Sequence, residues 1–506
     1  MTPRTLPSLP QYSDDAVTRL LCAHTHLDEN FAMEALEEFT ADRIKAVGLP
    51  LGINLIALVR HAGAAQRRRR SRDAQLAVLL SALVACLLAA LVSLGNGLPD
   101  AAAGFGIAAA VVLAAAWFAI HHCTHFAWIA AREVYRGQRK PQDLAPPLEK
   151  ETEDHLKSLR QANVVAYDAR LEADTPFVGS GDFVTEFVWP SVDVSRPAEN
   201  PAGGTLVKKP FDAVDLHAYM AREMSGIAGL DGLRARNRLY VRGLHVPSLG
   251  PQLLPDATRH PLTRIDKQLV QSGVLREGGG MRTYLSLEMV GHGGKYVMSM
   301  HLRARLVMDR LSWSVAAYVL PPVDEHYAYV AYLPLGGFEE WWQLTRHTAT
   351  SLRWMLLSAP GRMLRRRSRR AAHARDLRKI RREITKHKVA YDYGALDSLR
   401  ERVAQDTDRM NFDQRMDASD AFQRLQQGAL IATKRFLVSH NVDASDLDDA
   451  QKVINNQTYN IGSISGNHTQ VGPNNNQNNA GPGGAGGPGG GAGGGGTPPS
   501  GGGKTT

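Results

Sequence analysis

The residues that could do chemistry in this 506-residue chain are few and scattered. His121 and His125 stand four residues apart, so on a helix they would share one face with the spacing of two metal ligands. A closed zinc site needs four ligands, and the further candidates Cys22, His24 and His26 are distant in the sequence. Polar aromatic residues are also common at membrane boundaries. The sequence therefore predicts no metal site and no cofactor.

Two glycine-containing loops have the composition of binding sites. Ser180 and Asp182 lie in the first, residues 177–182, and His292 lies in the second, residues 291–295. The second loop lacks the P-loop spacing and joins two predicted strands, which favours a hairpin turn. No base stands at a spacing that identifies a nucleophilic serine. The sequence names no catalytic residue; an enzyme that uses these polar groups on a lipid-linked or nucleotide substrate remains an alternative.

Two apolar runs dominate the first third of the chain. Residues 74–94 and 101–120 carry no charge, and each is long enough for a helix to cross about 30 Å of hydrocarbon. The short connector is rich in Gly, Asn, Pro and Asp, so the pair predicts a transmembrane hairpin. The spans contain few polar groups, which disfavours a transporter. A small oligomeric channel lined by Ser81, Ser93 and Asn96 remains an alternative.

Positive charge flanks both outer ends of the hairpin. Arg67 to Arg70 precede the first run, and Arg132, Arg136, Arg139 and Lys140 follow the second. The positive-inside rule then places both termini in the cytoplasm, at the inner membrane of a bacterium. Residues 1–11 lack the features of a cleavable signal, so the first span is expected to direct insertion. Three cysteines, one of them inside a span, argue against a disulfide framework.

Periodicity and composition divide the chain into regions that predict a membrane-anchored α+β protein. The regions are an N-terminal helical cytoplasmic segment (1–66), the hairpin (74–120), a linker (141–162), a cytoplasmic α+β domain (163–334), an amphipathic and basic helical region suited to a coiled coil (338–450), and a disordered Asn/Gly-rich tail (451–506).

The α+β prediction rests on alternating residues. Three consecutive runs of period two lie between residues 284 and 319, and turn residues separate them. Such runs predict an antiparallel meander with one buried face. A helix predicted over residues 212–228 would cover that face.

The most basic stretch follows an aromatic helix. Trp341 and Trp342 lie on the first helix, residues 338–357, and the second helix, residues 362–388, is rich in arginine. In a chain held at a bilayer, these features predict contact with anionic lipid headgroups. A solvated or coiled-coil arm and nucleic-acid binding are the alternatives, and no nucleic-acid fold motif supports the latter. The predicted headgroup contacts are Arg365, Arg366, Arg367, Arg369 and Arg370.

Short motifs at residues 163–167, 176–181 and 192–194, together with Trp189, resemble runs in uncharacterised actinobacterial integral membrane proteins. In those proteins similar runs follow a membrane hairpin. The resemblance extends over residues 74–334 and implies no known activity.

The tail carries a second resemblance. Gln470-Val471-Gly472 with Asn475 resembles the Gln-Val/Ile-Gly-x-x-Asn core of RIP homotypic interaction motifs and of bacterial amyloid-signalling tails, although Pro473 interrupts it. Because such tails assemble by cross-β stacking, the resemblance implies self-association and a homo-oligomer. The residues expected to matter are Ile461, Gly462, Gln470, Val471 and Gly472. The sequence thus predicts a membrane-anchored binding or signalling scaffold with a protein partner or a second copy at its tail.

Overall fold

The structure is a computed structural model, and it describes residues 15–171, 175–227, 232–276, 278, 280–291, 294–448 and 461. The α-helices are α1 (Ala16–Leu27), α2 (Glu29–Thr40), α3 (Leu55–Gly95), α4 (Pro99–Arg136), α5 (Lys150–Arg160), α6 (Ala213–Ile227), α7 (Lys267–Leu275), α8 (Gly337–Lys386), α9 (Leu399–Arg402) and α10 (Phe412–Ser439). The strands are β1 (Val164–Tyr167), β2 (Asp182–Val188), β3 (Val192–Asp193), β4 (Arg234–Arg242), β5 (Met281–Gly291), β6 (Tyr296–Val307) and β7 (Arg310–Leu320).

Helices α3 and α4 form the predicted hairpin, and both are long and apolar enough to cross a membrane. Only 6% and 17% of their most apolar stretches are buried inside the protein. A soluble core helix would bury such a surface, because exposed apolar area costs about 25 cal/mol per Å² in water. The chain is therefore a membrane-anchored α+β protein.

Helix α3 begins much earlier than the apolar run. It starts at Leu55, where the side chain of Asn54 accepts a hydrogen bond from the Ala57 N–H at 3.3 Å. The first turns pack against α1 and α2 and bury Leu58 completely. The N-terminal helices thus surround the base of the hairpin.

The seven strands form one mixed sheet in the order β1-β4-β5-β6-β7-β2, with β3 paired to β7. Strands β5, β6 and β7 make the predicted antiparallel meander. Strand β1 pairs with β4 in parallel, a contact that no local pattern predicted.

The predicted apolar face of the meander forms the main core. Met298, Met300 and Leu302 of β6 pack in one cluster with α6, which contributes Leu216 and Met220. The bounds predicted for this helix from the sequence, 212–228, are within one residue of the observed ones. Helix α10 packs on the same core through Phe422, Leu425 and Phe436. The sheet is therefore covered on this side by two helices from distant parts of the chain.

The opposite face of the sheet is buried as well, so the expectation of one buried face is wrong. Val297, Ser299 and His301 of β6 are almost completely inaccessible. The extended segment after α2 covers them through Leu49 and Leu51. The polar residues of β6 on this face therefore do not indicate contact with water, and the ring of His301 is satisfied by hydrogen-bond contacts with Ser180 and Ser286.

Candidate functional site

A buried polar network occupies the second face of the sheet. His301 Nε2 lies 3.1 Å from Ser180 Oγ, and His301 Nδ1 lies 3.0 Å from Ser286 Oγ. The hydroxyl of Tyr240 lies 3.2 Å from Ser286 Oγ and extends the chain of hydrogen bonds. The Phe177 ring stacks on His301 at a centroid distance of 4.0 Å. Sequence spacing could not reveal the Ser180–His301 pair, because 120 residues separate the two side chains.

The loop that brings Ser180 to His301 depends on two glycines. Gly179 and Gly181 have φ angles of 95° and 88°. A Cβ on Gly179 would lie 2.5 Å from the carbonyl oxygen of Leu49. The N–H groups of both glycines donate to Glu401 Oε1, at 2.7 and 3.0 Å. The carboxylate of Glu401 thus holds this loop in place.

The Ser180–His301 pair is poorly placed for nucleophilic catalysis. Burial holds the pKa of His301 well below its usual value, and the charge of Arg238 lowers it further. His301 Nδ1 contacts the hydroxyl of Ser286 and not a carboxylate, so this partner supplies no negative charge to stabilise an imidazolium. A substrate would have to displace the Phe177 ring to reach it. The network joins the loop to the sheet.

Of the predicted enzyme residues, the structure describes Ser180 and Asp182, and their side chains have different surroundings. Ser180 is buried, whereas Asp182 is exposed and hydrogen-bonds the hydroxyl of Thr407. His292 lies outside the described residues.

The basic stretch belongs to α8, which runs without a break through Pro360. Proline normally disrupts a helix interior, which explains why the sequence indicated two helices. Packing outweighs this effect, because Leu356 and Ala359 beside the proline contact Leu76 and Ile120 of the two apolar helices. Helix α8 therefore lies against the hairpin where its apolar runs begin and end.

A buried carboxylate fixes α8 to α3 at that level. Asp73 is fully inaccessible, and its Oδ1 accepts from Arg72 at 2.8 Å and from Arg362 at 2.7 Å. Its Oδ2 lies 2.6 Å from Arg366, which also pairs with Glu29 of α2. Three helices thus converge on one cluster of charges.

The five predicted headgroup arginines divide into two groups. Arg366 belongs to the Asp73 cluster and is turned towards the protein. The other four are exposed: Arg365, Arg367, Arg369 and Arg370. These four exposed arginines are called the arginine patch below.

Large apolar side chains on α8 also face away from the protein. Trp354 and Leu357 are 74% and 59% exposed, although they occupy the same turns that pack on the apolar helices. At the start of α8, Trp341 and Trp342 are about half exposed and flank the Phe338 ring. Monomeric soluble proteins rarely leave such a group of aromatic residues uncovered.

The histidines after the second apolar run do not form a metal site in the described part of the chain. The rings of His121 and His125 lie 6.4 Å apart without a third ligand. His24, Asp28 and His326 do converge, and one potential ligand atom from each lies within 4.8 Å of the others.

Ile461 is the one predicted self-association residue that the structure describes. It is partly buried and packs against the main core. Gly462, Gln470, Val471 and Gly472 lie outside the described residues.

These features define a membrane-anchored α+β protein whose N-terminal helices and long basic helix surround the base of an apolar hairpin. The family model of the AbeC-like domain matches residues 188–469, more than half of the chain, and the chain belongs to that family. The match runs from the end of β2 through α8 and α10 and does not include the apolar hairpin. No curated protein and no solved structure matches the chain.

Proposed function

We propose that this protein is a binding or signalling scaffold of the bacterial inner membrane, held at the cytoplasmic surface by its hairpin and by α8. Arginines before the first apolar run and after the second support an orientation with both long segments in the cytoplasm. In this arrangement the part of α8 that carries the arginine patch lies at the bilayer surface and binds anionic headgroups.

One observation carries the proposal: Trp354 and Leu357 are exposed on α8 at the level where α8 packs against the ends of the apolar runs. Lipid surrounds an apolar hairpin from that level onward. Tryptophan is enriched at the interface, where its ring is amphipathic, and arginine binds headgroup phosphate. Bilayer contact accounts for both kinds of exposed side chain.

Replacing the four residues of the arginine patch with glutamine tests the lipid contact. Each basic residue near an anionic surface contributes about 1 kcal/mol. Four such residues contribute about 4 kcal/mol, so the quadruple variant is expected to retain phosphatidylglycerol on the order of a thousandfold less well. Native mass spectrometry of the full chain released from nanodiscs measures this retention.

A matched control removes the same charge further along α8. Arg375, Arg378, Lys379 and Arg382 are also exposed, and they lie about 15 Å beyond the arginine patch along the helix. Glutamine at these four positions should leave lipid retention close to that of the wild type. Equal losses in both variants would indicate a non-specific charge effect and contradict the proposed contact.

We also propose that the tail mediates self-association, as its resemblance to amyloid-signalling motifs implies. Because Ile461 packs on the core, the assembling segment is limited to the residues that follow it. Val471→Asp should abolish fibre formation by the full-length protein, measured by thioflavin T and electron microscopy, since stacked copies would align like charges. Val471→Ile is the control that should retain fibres. Fibres that survive the aspartate would remove the motif from consideration.

A further inference from the structure

We propose that His24, Asp28 and His326 form a divalent transition-metal site at the junction of α1, α2 and the 3-10 helix Glu325–Tyr332. Each residue offers one ligand atom, and the three atoms lie within 4.8 Å of one another. Ligands held about 2.0–2.2 Å from a tetrahedral ion lie roughly 3.3–3.6 Å apart, so small side-chain rotations complete the geometry. Two imidazoles and one carboxylate suit Zn²⁺ and related ions.

His24 supplies the independent evidence for a ligand. Its side chain is only 4% exposed, and Nδ1 has no hydrogen-bond partner. A buried polar atom without a partner costs about 1–3 kcal/mol. The ring lines a cavity of about 490 Å³ that also contains Asp28 and His326. A metal ion in this cavity would satisfy the unpaired nitrogen.

Local structure orients the other two ligands. Asp28 links α1 to α2 and uses Oδ1 to accept from the Phe31 N–H at 2.9 Å, which leaves Oδ2 for a metal ion. The backbone N–H of His326 donates to Asp324 Oδ1 at 2.8 Å and fixes the start of the 3-10 helix. The His326 side chain is exposed and gives an ion a path from solvent.

Three protein ligands leave at least one coordination position open towards the cavity. Arg68 and Arg69 line that cavity. The open position therefore suits water or an anionic ligand, whose charge the arginines would balance.

The test uses the full chain without a histidine tag, stripped with EDTA and titrated with Zn²⁺ by calorimetry and with Co²⁺ by visible absorption. We expect one equivalent to bind. Asp28→Asn and His326→Ala should each weaken binding at least tenfold; asparagine caps a helix as well as aspartate does, and His326 is exposed, so both variants should fold.

His347→Ala is the matched control, because His347 lines the same cavity but is not one of the three converging residues. Its affinity should equal that of the wild type. A wild-type protein that binds neither ion, or two ligand variants that bind as the wild type does, would overturn the assignment.

Discussion

Asp73→Asn is expected to lower the free energy of unfolding by about 3–5 kcal/mol, the usual effect of removing one partner from a buried charge cluster. The carboxylate is fully inaccessible, and it balances the charges of Arg72, Arg362 and Arg366. Asparagine preserves the shape but leaves the three guanidinium groups with too little negative charge. Chemical denaturation in mild detergent measures the loss.

The same variant should loosen α8, because Arg362 and Arg366 hold that helix to α3. Faster hydrogen exchange in residues 352–370, with unchanged exchange in β6, is the expected pattern. Asp376→Asn, at an exposed position of α8, is the control and should change stability by less than about 0.5 kcal/mol. Wild-type stability in the Asp73 variant would refute the role of this cluster.

The second large effect is expected inside the sheet. Arg238 of β4 and Glu288 of β5 form an ion pair and are 2% and 6% exposed. Glu288→Ala leaves a buried guanidinium without its anion, although Arg238 Nε still donates to the Ala162 carbonyl at 3.1 Å. The expected loss is about 3–5 kcal/mol in the free energy of unfolding, measured by the same denaturation.

A double variant separates the pair from packing. Arg238→Met combined with Glu288→Leu removes both charges and keeps similar volume, so it should recover most of the stability lost in Glu288→Ala. A double variant no more stable than the single one would mean that the pair stabilises the sheet beyond satisfying its own charges.

Local patterns predicted the elements whose formation depends on neighbouring residues. The two apolar runs, the meander from β5 to β7 and helix α6 follow from length and periodicity alone. The continuity of α8 through Pro360 was missed because tertiary packing of Leu356 and Ala359 stabilises it. The helical region predicted over 338–450 is interrupted, and among its described residues α8, α9 and α10 are separate helices.

The candidate sites were harder to predict from the sequence because each of them joins segments that are distant along the chain. His24 and His326 are about 300 residues apart, and Ser180 meets His301 only after the sheet has formed. The arginine patch was visible as a run of charge, but the run did not reveal that Arg366 pairs with Glu29 and Asp73. A charge pattern indicates a surface, whereas the partner of each charge depends on tertiary structure.

Lipid quenching of Trp354 fluorescence tests whether the middle of α8 lies at the bilayer surface. The emission of this residue is obtained by subtracting the fluorescence of Trp354→Phe from that of the wild type. Both proteins are reconstituted in vesicles with lipids brominated near the headgroup. We expect brominated lipid to quench that difference signal strongly and aqueous iodide to quench it weakly. The control is Trp313, which is 2% exposed in the sheet core. Its emission, obtained as the same kind of difference from a variant that lacks this tryptophan, should resist both quenchers. A Trp354 signal that iodide quenches and brominated lipid does not would place this residue in water and contradict contact between α8 and the bilayer.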